Sequence, residues 1–275
     1  MKTPDKRHRY SIVDTVDATP WFPLFHVPHD GTQFPKELMA SVCIRQDAFL
    51  AYHGKMRDKY AAQLIPEEYC QGDMVCSFGV SRLLCDVERF IGSEEVMEQY
   101  GMGFCYEKAF SGTVIKHVTD ELRHKTRKYY DDHHARINQL CRQHPFILFF
   151  DMHSYSREII PADFLHPERS LPDLCIGVDS NFTPSDLANI VHNEFREIGL
   201  TVAVNYPYSG CYIPETVMRR EAGCHFAGIM LEFNRKAYLD EQDDPIPEKA
   251  KRIQEAIRCI LKQWRCKAET IKSTR

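Results

Sequence analysis

Six short apolar runs set the limits on how this chain can fold. They lie at residues 22–27, 82–87, 146–150, 174–178, 202–205 and 229–233. Each has the length of a buried strand. Longer segments with helical spacing separate most of them. Thr183-Pro184-Ser185-Asp186 places an N-cap, a first-turn proline and an early acid ahead of Leu187, Ile190, Val191 and Phe195. Residues 248–264 carry Ile253, Ile257, Ile260 and Leu261 at helical spacing, and residues 114–144 read as one long helix or two. Strands alternating with helices predict a single-domain α/β fold, a three-layer arrangement in which helices flank a mixed, largely parallel sheet. The domain is expected to occupy residues 1–275, with its core at about 20–265, since no repeat, low-complexity stretch or linker divides the 275 residues.

Composition narrows the function classes. Lys+Arg is 35 against 39 for Asp+Glu, a formal net charge of −4, which argues against the basic face that nucleic-acid binding needs. The longest apolar stretches fall far short of a membrane span, and the polar N-terminus MKTPDKRHRYS has no apolar signal region. The 11 cysteines form no CxxC pair and several sit inside apolar runs. A reducing cytoplasm with buried thiols is expected rather than a disulfide framework. There is no HExxH, Walker loop, GxGxxG or GxSxG, which removes the simplest zincin, P-loop, dinucleotide and α/β-hydrolase readings.

In largely parallel sheets function collects at the carboxyl ends of strands, so the polar residues that close each run are the candidates. The first run ends in Val27-Pro28-His29-Asp30-Gly31. His29 is placed either to ligate a metal or to cap the turn. The third run ends in Asp151-Met152-His153-Ser154, and two-residue spacing on an extended chain puts Asp151 and His153 on one side. Asp151 could orient the imidazole, or the pair could only pin a loop. Glu232 lies between Leu231 and Phe233 in the last run. Burial there raises a carboxyl pKa and suits a general base acting on water, unless a buried arginine neutralises it. Arg89, at the end of the second run, and Arg157, just after His153, could each grip a substrate carboxylate or form a structural pair. Asp58 could complete a ligand set of two histidines and an acid, or be a solvated helix charge. His117, His124, His133, His134 and His144 lie among charged neighbours and suggest a solvated face.

Together these segments resemble the N-formylglutamate amidohydrolase family. The likeness rests on an ordered set between about residues 22 and 238: the Pro28-His29-Asp30-Gly31 turn, the 82–89 segment with Asp86 and Arg89, and Asp151-Met152-His153-Ser154. It continues with Leu171-Pro172-Asp173-Leu174-Cys175-Ile176-Gly177, the Asn205-to-Tyr212 turn, and Met230-Leu231-Glu232. The resemblance implies a zinc-carboxypeptidase-like fold with a metal at the strand ends. It implies His29, His153 and Asp58 as ligands of Zn2+ or another divalent transition metal, and Glu232 as general base. Arg89, Arg157 and Arg220 would hold substrate carboxylates, with Asp151 behind a ligand. The implied reaction is hydrolysis of the N-acyl bond of N-formyl-L-glutamate, or a close N-acyl amino acid, to glutamate and formate, as in histidine degradation. The implied partner is that small molecule, with no nucleic acid and no membrane. The chain departs from the family pattern at 218–223, which read Met-Arg-Arg-Glu-Ala-Gly, and lacks the usual paired aspartates between His29 and Asp58. A carboxypeptidase or peptidoglycan amidase on the same scaffold, and a non-catalytic dicarboxylate-binding protein, are the rival readings.

Overall fold

A computed structural model describes residues 21–92 and 94–273, and side chains to residue 267. The polar N-terminus read above for a signal lies outside the described residues. The sheet has six strands in the order β2-β1-β3-β6-β4-β5. They are β1 (Phe22–Val27), β2 (Val75–Ser77), β3 (Phe146–Tyr155), β4 (Leu174–Gly177), β5 (Val202–Val204) and β6 (His225–Asn234). Every neighbouring pair is parallel except β4 with β6, so the sheet is mixed and largely parallel, as its runs predict. The helices are α1 (Lys36–Met39), α2 (Gln46–Met56), α3 (Asp120–Gln143), α4 (Ser185–Glu197), α5 (Glu215–Met218) and α6 (Pro247–Ser273). None is long and apolar enough to cross a membrane among the described residues.

Alternation along the strands sorts the core into layers. Phe25, Val27, Phe150, Met152, Leu231 and Phe233 point to one face and pack with Leu187, Val191 and Phe195 of α4 and Ile253, Ile257 and Ile260 of α6. The intervening Leu24, Ile147 and Phe149 point to the other face, against Ile137, Leu140 and Cys141 of α3. Pro23 is tolerated because β1 pairs with β2 only from Phe25 onward, so one edge is open where the N–H is missing.

One expected strand is not a strand. Residues 82–87 form turns outside the sheet, and the edge strand is β2 instead. The reason is a second core. Leu83, Leu84, Cys85 and Val87 are buried against Leu38, Phe49, Phe104 and Tyr106, away from the sheet. The turn is held by Leu84 N–H and Cys85 N–H donating to Ser81 O, and by Asp86 N–H donating to Phe104 O. Thr183 also departs from its expected capping role: its hydroxyl donates to Gly228 O at 2.6 Å.

The loop carrying His29 crosses this turn segment at close quarters. A Cβ at Gly31 would lie 2.5 Å from Val80 O and 2.6 Å from Gly79 C, both backbone atoms that cannot swing aside. Gly31→Ala should therefore cost about 1–3 kcal/mol, the usual range for overpacking, and separate the two segments that build the site. Denaturant unfolding checks this: an unchanged midpoint would show that the crossing is not tight.

Candidate metal centre

The α3 face of the sheet changes chemistry towards the carboxyl ends of its strands. On β3 the positions that carry Ile147 and Phe149 continue as Asp151 and His153. On β6 the same face ends in Glu232, in register with His153. On β1 it ends in His26, in register with Asp151. All four side chains are buried. Just beyond β1, the Pro28–Gly31 turn delivers His29. Asp58 follows α2, and its N–H donates to His29 O at 3.0 Å, which locks the two loops together.

His29, Asp58 and His153 converge. Asp58 Oδ2 lies 3.1 Å from His153 Nδ1 and 3.6 Å from His29 Nδ1. Behind each imidazole stands a carboxylate. His29 Nε2 donates to Asp86 Oδ1 at 2.8 Å, and His153 Nε2 lies 3.1 Å from Asp151 Oδ1. The His29–Asp86 bond fixes the proton on Nε2 and leaves Nδ1 as a lone pair. That Nδ1 is buried and has no hydrogen-bond partner. A buried, unpartnered imidazole lone pair beside a carboxylate and a second imidazole is the donor set that a zinc-class ion takes. The residues present fit the metal.

Charge is balanced by specific contacts. Burial would raise Asp86, but His29, Arg89 and Arg82 beside it hold its carboxyl well below the usual range. Burial likewise opposes ionisation of Asp58, and the hydrogen bond from His153 together with the charge of nearby Arg82 overcomes it. Glu232 differs. Burial pushes it up to about 8, His153 opposes this, and Asp58 adds to it. Arg82 also lowers it, though among the described residues no arginine forms a salt bridge with Glu232.

His29, Asp58, Arg82, Arg89, His153 and Glu232 border one cavity of about 920 Å³. Arg89 has a buried Nε without a hydrogen-bond partner, 3.7 Å from Asp86 Oδ2. Arg157 and Arg220 are exposed and do not border the cavity; Arg219 stands at its edge, paired with Glu215. The Asn205–Tyr212 turn closes another side. Asn205 adopts φ 53°, a left-handed conformation that asparagine tolerates, and its Oδ1 accepts from Val178 N–H and Gly210 N–H. The turn is latched to the site by Tyr212 N–H donating to Asp151 Oδ2 at 2.9 Å.

Sequence reasoning missed several participants. Arg82 and Asp86 belong to a run read as a strand, and Glu88 follows it directly, which hid their convergence. His26 lies inside an apolar run and drew no notice. His133 was expected on a solvated face, yet it is 7 % exposed, with Nε2 2.9 Å from His26 Nε2. A signal existed: His26 shares a face with Leu24, which is the face α3 covers.

A model for the N-formylglutamate amidohydrolase family matches residues 23–239. The chain belongs to this family. Among solved structures, it resembles the N-formylglutamate amidohydrolase from Ralstonia eutropha JMP134, with 18 % identity and a TM-score of 0.69 over 93 % of this chain and 96 % of that one. It also resembles the gene product Atu2144 from Agrobacterium tumefaciens, with 18 % identity and a TM-score of 0.58 over 93 % of each chain. No match is found among curated proteins. At these identities the structural likeness speaks for the fold, and membership rests on the family match.

The raised Glu232 pKa has a stability consequence. The folded state holds this proton more tightly than the unfolded chain, whose carboxyl titrates near 4.5. Its contribution is fully present below about pH 4.5 and is lost as pH rises through about 8. In metal-free protein, Glu232→Gln should gain stability relative to wild type between pH 5 and 9. Urea unfolding at several pH values measures this, and a pH-independent difference would refute it.

Proposed function

We propose that this chain is a metal-dependent amidohydrolase that cleaves the N-acyl bond of an N-acyl amino acid, N-formyl-L-glutamate or a close relative. The observation that carries the reading is the unpartnered His29 Nδ1, facing Asp58 and His153 in the cavity that also holds Glu232. His29 and His153 would hold the ion through Nδ1, and Asp58 through its carboxylate. Bound there, a zinc-class ion supplies Lewis acidity that polarises a carbonyl and acidifies water towards a pKa of ~7.

The chain's own residues do the rest. Glu232 takes the proton of the attacking water at its carboxylate and returns it to the leaving amine nitrogen. Its raised pKa makes it able to hold that proton between the two steps. Asp86 and Asp151 keep the imidazoles aimed. The Arg82 and Arg89 guanidiniums face the reacting centre, and the unpartnered Arg89 Nε–H offers a donor to a substrate carboxylate or to charge developing on the acyl oxygen.

The test is formate release from N-formyl-L-glutamate by zinc-loaded protein, with and without a chelator. Release should require the metal. Glu232→Gln should bind the metal as wild type does and lose about 10²–10⁴-fold in kcat, the usual worth of a general acid–base group. Chelator-resistant release, or full activity of the variant, would contradict the mechanism. Peptide hydrolysis without release from any N-acyl amino acid would favour the carboxypeptidase reading.

A further inference from the structure

The cavity is much larger than a formyl group requires. A formyl group takes up little more than one water molecule, whose share of the liquid is ~30 Å³. The cavity holds about 920 Å³, near the top of the range for pockets that enclose drug-sized ligands of ~300–1,000 Å³. Beyond the reacting centre the lining holds some charged groups, such as Arg127, Asp131 and the Arg219–Glu215 pair. It also holds a set of large apolar side chains: Phe90, Ile91 and Val96 on one segment, Ile159 and Phe164 on another, and Met218 at the end of α5.

A second observation concerns the rim. Phe90, Val96 and Met218 are 61, 62 and 54 % exposed, and Ile91 is 38 % exposed. These are four of the seven large hydrophobic side chains that face solvent among the described residues, and all four border this one cavity. Scattered exposed hydrophobics are ordinary, whereas a cluster on the edge of a cleft marks a binding surface. A small polar substrate would leave that surface wet.

From volume, lining and rim together we infer that the preferred substrate carries a bulky apolar group beside its scissile amide, either as the acyl chain or as the amino-acid side chain. This rests on the amidohydrolase reading and refines its substrate class. The reacting end lies on Arg82, Arg89 and the metal-ligating residues, and the apolar group extends outward over Phe90 and Met218.

The experiment compares kcat/KM of zinc-loaded protein for N-formyl-L-glutamate, N-hexanoyl-L-glutamate and N-formyl-L-phenylalanine. Each fully buried methylene is worth roughly fourfold (~0.8 kcal/mol). At least one of the two bulky substrates should therefore exceed N-formyl-L-glutamate by tenfold or more, and which one identifies the side that carries the apolar group. Phe90→Ser and Met218→Ser, both at exposed positions that folding tolerates, should lower that ratio at least fivefold. Calorimetric binding of the same three compounds to zinc-loaded Glu232→Gln protein provides a readout independent of turnover. Tenfold tighter binding of a bulky compound without turnover by wild type would sustain the cavity assignment and overturn the amidohydrolase reading. Preference for N-formyl-L-glutamate in both rate and binding, or ratios unmoved by the two serine variants, would overturn the inference.

Discussion

The site depends on one buried carboxylate. Asp86 accepts from His29 Nε2 at 2.8 Å, from the Tyr106 hydroxyl at 2.8 Å, from Arg82 Nη2 at 3.0 Å and from Glu88 N–H at 3.1 Å. An isolated ion at this depth would be prohibitive, so the donors are the condition for its presence. In return Asp86 fixes the tautomer of His29, anchors the 82–89 turn and neutralises the arginines that face the cavity. Loss of the carboxylate would free the His29 ring and strand Arg82 together. The second core of Leu83, Leu84, Phe104 and Tyr106 exists in the right place to hold this hub beneath the first loop.

The sheet supplies the other half. Parallel strands buried on both faces read as continuous apolar runs. Here the α3 face leaves that rule at the strand ends, where Asp151, His153, Glu232 and His26 replace aliphatic residues. The opposite face stays apolar through Met152, Leu231 and Phe233 and turns polar only at Ser154, near the end of β3. One face therefore keeps the sheet anchored to α4 and α6 while the other is free to be chemical.

Much of this was legible in the sequence. Five of the six runs are strands; four are buried along the run, and β5 is a half-buried edge strand. The strand-end rule located His29, Asp151, His153 and Glu232, since a polar residue inside such a run must be satisfied by something. For Asp58 the residues alone left a ligand and a solvated helix charge both open, because burial of a residue just past a helix depends on the loop it meets. The 82–87 run misled because an apolar segment of strand length can also be buried in a turn, and only the location of its partners decides which. His133 was hidden for a related reason: α3 is strongly polar, with exposed pairs such as Arg127–Asp131 and Lys128–Asp132, yet one of its faces meets buried His26.

The most direct test of the account is the position of the metal. Zinc-loaded crystals measured across the zinc absorption edge should give a single anomalous peak within bonding distance, about 2.0–2.2 Å, of His29 Nδ1, His153 Nδ1 and an Asp58 carboxylate oxygen. A peak instead among His26, Glu88 and Asp151, which also lie close enough together to share an ion, would contradict the central claim. So would a fully folded, zinc-saturated crystal with no peak at the strand ends.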